Sequence, residues 1–172
     1  MIALYSFLLI LSLLNPLLPP HTPADPVIIV NKATHEVVLY QDGEVVFKAP
    51  AAIGKTKDLT PEGQFNVKVK AKDPYYRKKN IPGGDPKNPL GSRWIGFDAR
   101  GTDGRIYGIH GTNQPDSIGK SVSAGCIRMN NQDVEVLFDL VPAEAEVWIV
   151  DRDKKMPDLY RFWEERKLQK QL

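Results

Sequence analysis

Two short segments of the chain hold side chains capable of covalent chemistry. Ile109-His-Gly-Thr-Asn carries His110, one of three histidines, and Ser123-Ala-Gly-Cys-Ile-Arg-Met carries Cys126, the only cysteine, sixteen positions further on. A thiol is a weak nucleophile until a base takes its proton, and an imidazole that titrates near neutrality is the side chain best suited to do so. Cys126 and His110 are therefore the candidate nucleophile and base.

The rest of the chain says where such a pair would work. Its 172 residues, with a net charge of +2, 42% hydrophobic and 26% charged, have the composition of one globular domain. Residues 1–24 contain no Asp, Glu, Lys or Arg, and from Ile2 to Leu18 they are almost entirely apolar. Pro16, Pro19, Pro20, Pro23 and Pro26 crowd the exit from this run and argue against a buried core helix. The segment is expected to be a signal peptide or an N-terminal membrane anchor, which places the remainder outside the cytoplasm. Exported proteins use cysteines mainly in pairs, so a solitary cysteine points to a reactive thiol or an inter-chain bridge; its bland alternative is an inert buried residue.

From Val27 onward the periodicity is that of strands. Runs rich in Val, Ile, Tyr, Phe and Trp occupy Val27 to Val30, Glu36 to Gln41, Glu44 to Ala49, Gln64 to Ala71, Arg93 to Ala99, Arg105 to His110 and Val147 to Val150. Asp42-Gly43 is a hairpin signal, and the alternation from Gln64 to Lys70 predicts one wet face and one buried face. Two helices are expected. One is capped by Asn130 or Asn131, buries Val134, Leu137, Phe138 and Val141, and stops at Pro142; the other runs from Pro157 to about Gln169 and docks on the surface through Leu159, Phe162 and Trp163. Between Lys72 and Ser92, four prolines and three glycines predict a long irregular loop. Loops of that length usually line or cover a site, and Arg77, Lys78, Lys79 and Lys87 would then meet an acidic substrate.

His110-Gly111 followed by Ser123-Ala124-Gly125-Cys126-Ile127-Arg128 resembles the signature of the YkuD-type L,D-transpeptidase catalytic domain (the ErfK/YbiS/YcfS/YnhG family). Thr60-Pro61-Glu62-Gly63-Gln64-Phe65 is similar to that family's Thr-Pro-x-Gly-x-Phe turn, and Ile53-Gly54-Lys55 to the segment before it. The likeness implies a mostly β fold, a β-sandwich or open barrel, with one helix after the catalytic motif and a C-terminal surface helix. It divides the chain into the N-terminal segment, a catalytic domain over 25–151 and a helical tail over 152–172. Some members carry histidine before the motif glycine, where this chain has Ala124, so His110 would act unaided.

The resemblance also implies an activity. Such enzymes cross-link peptidoglycan stem peptides through a cysteinyl thioester with release of D-alanine, and need no cofactor or metal. Cys126 would be the nucleophile and His110 the proton carrier, oriented by the carbonyl of Gly111, with backbone N–H groups at Gly125 and Cys126 as oxyanion donors. Arg128 would grip a carboxylate of the acyl donor; its structural alternative is a salt bridge or a helix cap. Asn113 and Ser123 are further candidates for substrate contact, although Ser123 could simply support the turn. Acylation by carbapenems, membrane contact only through the N-terminal segment and a monomeric state are expected with them. His21 and His35 read as bystanders. One cysteine with one suitable histidine falls short of a catalytic zinc site, and +2 with no basic stripe argues against nucleic acid. An L,D-carboxypeptidase using the same pair, or a wall-binding module with an incidental cysteine, remains an alternative.

Overall fold

The computed structural model describes residues 26–170, so the apolar segment expected at 1–24, with His21, lies outside the described residues. The described residues contain ten strands: β1 Val27–Asn31, β2 Glu36–Gln41, β3 Glu44–Pro50, β4 Ile53–Gly54, β5 Gly63–Lys72, β6 Arg93–Phe97, β7 Tyr107–His110, β8 Ser121–Ser123, β9 Ile127–Arg128 and β10 Glu146–Val150. Two helices, α1 Asn131–Leu140 and α2 Met156–Gln169, complete the frame. Eight strands form one sheet in the order β3-β2-β1-β10-β5-β6-β7-β9, curled into a half-barrel, and β4 pairs with β8 beside it.

The strands β1, β2 and β10 are apolar without interruption because both of their faces are covered. Ile28, Val30, Val37, Leu39, Val147 and Ile149 join the core beneath α1, which buries Val134, Leu137 and Phe138 against it. The alternate residues Val27, Ile29, Val38, Tyr40, Trp148 and Val150 form a second core under α2. There Leu159 and Trp163 are buried, the Tyr160 ring stacks on Tyr40 at 4.2 Å, and the Trp163 indole N–H donates to Glu146 Oε1 at 2.6 Å. Phe162, expected on the docking face, stacks on Trp148 at 6.2 Å but stays 43% exposed at its edge.

Asp42 and Gly43 both take positive φ, 52° and 83°, and join β2 to β3 as the sequence predicts. The alternation of β5 is broken, however. A bulge between Val67 and Val69 puts two residues opposite one of β6, and the side chains beyond it change face. Val67 therefore points into the α1 core, while Val69 and Ala71 point to the other side of the sheet. Lys70, expected on the wet face, reaches under α1 and donates to the carbonyls of Phe138 and Val141 at 2.6 and 2.5 Å. An ammonium there satisfies the carbonyls left open at the helix end, which has no basic residue of its own. The strand expected over Arg93 to Ala99 ends earlier, at Phe97, and the one expected over Arg105 to His110 starts later, at Tyr107, because turns occupy the remaining residues. The short strands β4, β8 and β9 carry no periodic signal and were not expected.

The two faces of α2 should differ in weight. Trp163→Ala empties a buried site and should cost about 3–5 kcal/mol, whereas Phe162→Ala should cost under about 1.5 kcal/mol. Urea unfolding of both variants checks this, and equal losses would contradict the docking described.

Candidate active site

Register across the sheet lines up the candidate residues. Ala71 of β5 pairs with Trp94 of β6, Trp94 with His110 of β7, and His110 with Arg128 of β9. Because Ile95, Ile109 and Ile127 lie in the core beneath α1, their neighbours Trp94, His110 and Arg128 leave from the opposite face. Cys126 precedes Ile127 by one residue and opens on that same side, into a cleft of about 410 Å³ that Val69, Tyr76, Lys78, Leu90 and Trp94 also line.

His110 is buried against Trp94, whose ring lies parallel to it with centroids 5.5 Å apart. Its Nδ1 is 2.5 Å from the carbonyl oxygen of Gly111. A carbonyl has no proton to give, so Nδ1 carries the hydrogen and the Nε2 lone pair is left for base chemistry. Burial pushes the imidazole down to about 4, the Gly111 carbonyl and the Leu90 backbone pull it back, and the Arg128 charge adds to the lowering. Cys126 moves the other way. Burial pushes the thiol up, against the backbone of Gly108 and the positive charges of Lys78 and Arg128. Both displacements favour the uncharged forms, so at neutral pH Cys126 rests as a thiol and His110 as a neutral imidazole. The thiol meanwhile donates to the Ile106 carbonyl at 3.4 Å.

The loop that presents the thiol is built around Gly125, whose φ is +131°. A Cβ at this position would sit 2.5 Å from the Leu59 carbonyl oxygen, so glycine is required both by conformation and by space. Ser123, considered above for substrate contact, is buried and turned inward. Its Oγ donates to the Cys126 carbonyl at 2.6 Å and accepts from the Gly125 N–H at 3.0 Å. This corrects two expectations: Ser123 supports the turn, and the Gly125 N–H is engaged by it instead of facing a substrate. Asn113 donates to the Lys87 carbonyl at 3.0 Å and lines a separate hollow at the start of α1, so it pins the long loop and does not line the cleft.

Arg128 forms no ion pair among the described residues. Its Nη1 donates to the neutral Gln114 amide at 3.3 Å, which leaves the charge available to an anion. The long loop over 73–92 does form one wall of the cleft. Arg77 and Lys78 line it, as does Arg105, which is paired with Asp103; Lys79 and Lys87 do not. Buried Asn88 holds the loop in shape by donating to the Pro74 and Pro82 carbonyls at 2.8 and 3.0 Å. Sequence reading missed Trp94, because only the β6–β7 register places its ring on the imidazole. Thr60 was legible only as part of a turn, not as the residue whose hydroxyl donates to the Gly125 carbonyl at 3.0 Å. His35 bonds Ser121 Oγ at 2.9 Å on the approach to the nucleophile loop.

Comparison with known proteins identifies the family. Residues 25–149 match the model of the YkuD family, the L,D-transpeptidase catalytic domain. YqjB of Bacillus subtilis (strain 168), a protein assigned to the L,D-transpeptidases, is 54% identical over 156 residues, covering 91% of this chain and 89% of its own. Among solved structures, an L,D-transpeptidase from Mycobacterium smegmatis superimposes with a TM-score of 0.59 at 26% identity, over 74% of this chain and 59% of that one. The Ldtfm–avibactam carbamoyl enzyme does so with a TM-score of 0.58 at 26% identity, over 75% and 50%. The chain thus spans about half to three-fifths of these solved proteins. Together with the cysteine, histidine and arginine aligned on one face of the sheet, these matches show that the chain belongs to the YkuD family of L,D-transpeptidases.

Proposed function

We propose that the protein is a peptidoglycan L,D-transpeptidase in which Cys126 forms a thioester with the stem of one peptide and passes it to an amine of another. The observation that carries this reading is the neutral His110, locked through Nδ1 on the Gly111 carbonyl, on the same sheet face as the only thiol. Nε2 takes the thiol proton as sulfur bonds to the carbonyl carbon, then gives that proton to the departing D-alanine nitrogen as the C–N bond breaks. The incoming amine loses a proton to Nε2, forms the new C–N bond and expels the sulfur, which takes the proton back. Bonds and protons balance without nucleotide, which suits a protein working outside the cytoplasm behind an apolar N-terminal segment.

The oxyanion formed in each half faces the nucleophile loop. With the Gly125 N–H engaged by Ser123, the Cys126 N–H is the donor that the loop offers. Arg128, without an acidic partner, holds a carboxylate of the acyl donor. Arg77 and Lys78 on the opposite wall attract the anionic stems. Covalent trapping of Cys126 by carbapenems follows from the same chemistry; one structural neighbour is a carbamoyl enzyme formed with avibactam, a different acylating inhibitor.

Incubation with purified tetrapeptide stems, followed by mass spectrometry, tests the reading. A cross-linked dimer with loss of D-alanine is expected, and Cys126→Ala should abolish it. Tripeptide alone would reassign the protein to an L,D-carboxypeptidase, and unchanged substrate with an unmodified thiol would leave only a wall-binding role.

The pH dependence is equally specific. The neutral imidazole is the base, so activity should be lost only as pH falls through about 4, well below the ordinary histidine value of about 6.5. Alkylation of Cys126 by iodoacetamide, which needs thiolate, should still be rising above about pH 8.5. An alkylation rate that has levelled off below pH 7 would reveal a thiolate–imidazolium pair instead.

A further inference from the structure

The Thr60-Pro61-Glu62-Gly63 turn has no part in the chemistry above, yet it is built tightly against the nucleophile loop. Thr60 is fully buried. Its Oγ1 accepts from the Gly54 N–H at 2.8 Å and donates to the Gly125 carbonyl at 3.0 Å, so its hydroxyl spans two segments distant in sequence. The backbone of Leu59 fills the space that a side chain at position 125 would need. Around this contact β4 runs parallel to β8, and the Lys55 N–H donates to the Ser123 carbonyl at 3.0 Å.

The turn is itself anchored from below. Lys32, only 3% exposed, donates to the carbonyls of Lys57 and Thr60 at 2.7 and 3.2 Å and to Glu62 Oε1 at 3.0 Å. Three donors meet three acceptors, so every N–H of this buried side chain is paired. Lys32 thus fixes the backbone of Thr60, and the Thr60 side chain fixes Gly125.

The consequence lies in the geometry of one peptide unit. The Gly125 carbonyl and the Cys126 N–H belong to the same planar trans peptide and point in opposite directions. Holding the carbonyl therefore aims the N–H. Glycine at 125 has the widest backbone freedom of any residue, so without an external hold this plane would rotate easily. We propose that Thr60 is a positioning residue for the oxyanion donor: through the Gly125 carbonyl it points the Cys126 N–H at the site of the tetrahedral intermediate, with Lys32 as its support. This inference rests on the thioester reading above and adds to it a determinant of transition-state stabilisation.

Two reactions of the same thiol separate positioning from general damage. Acylation by a carbapenem such as imipenem passes through an oxyanion; alkylation by iodoacetamide is a displacement at saturated carbon and does not. In Thr60→Val, which keeps the shape and loses the hydroxyl, acylation of Cys126 should slow by about 10- to 100-fold, the range that small misplacements of catalytic groups produce. Alkylation should change less than about threefold, and Thr60→Ser should restore acylation to near the starting rate. Thr60→Ala replaces Thr60→Val if the latter does not fold, with thermal melting used to establish that each variant is native. Equal slowing of both reactions in a folded variant, or no slowing of either, overturns the inference while leaving the thioester mechanism intact. If the unsubstituted protein is not acylated at Cys126 at all, the mechanism itself fails.

Discussion

The parallel pairing of β7 with β9 is the contact on which the site depends. The strand β9 has only two residues, Ile127 and Arg128, too few to hold a place in a sheet by ladder bonds alone. Its position is secured by other means. Ile127 is fully buried, the Arg128 N–H and carbonyl exchange bonds with Ala52 at 2.9 and 2.8 Å, and the Met129 N–H donates to the His110 carbonyl at 2.9 Å. Because a strand alternates faces, burying Ile127 sends Cys126 and Arg128 to the other side, where His110 already stands. One buried isoleucine thus sets the side on which the chemistry takes place.

Burial also governs the electrostatics. Two cations, Lys78 and Arg128, act on the thiol and favour its ionised form, yet desolvation outweighs them. Desolvation likewise outweighs the Gly111 carbonyl at His110. A charged pair would have to be held in a site where the Trp94 ring, the sheet and the long loop restrict water. A neutral pair avoids that cost, and in the reaction proposed for it charge separation is deferred until substrate and oxyanion donor are in place. Arg128 suits such a site, because its planar guanidinium can meet a carboxylate through two parallel N–H groups.

The half-barrel keeps this site apart from its supports. Core packing under α1 and under α2 occupies both faces of β1, β2 and β10, while the cleft uses the outer face of β5 and β6 and the residues that lead into β7 and β9, Ile106 and Cys126. The bulge in β5 allows this division. By reversing the alternation it turns Val69 and Ala71 toward the cleft and sends Lys70 to close α1. The 73–92 loop, cross-braced by Asn88, then covers an already rigid floor.

Much of this could be read from the chain itself. Apolar periodicity locates the seven longer strands and both helices, since burial of one or both faces leaves its mark on consecutive residues. The types of Cys126 and His110, and the glycine before the thiol, make them the chain's candidates for nucleophilic chemistry because few other residues could supply it. What the residues alone could not reveal depends on partners far away in sequence. The face exposed after a bulge, the ring stacked on His110, the engagement of the Gly125 N–H by Ser123 and the reach of Thr60 to the Gly125 carbonyl are all set by register and by hydrogen bonds across long separations. Local propensity carries no trace of such contacts: a hydroxyl or an indole has the same intrinsic preferences wherever it sits, and only the closed sheet determines what it meets.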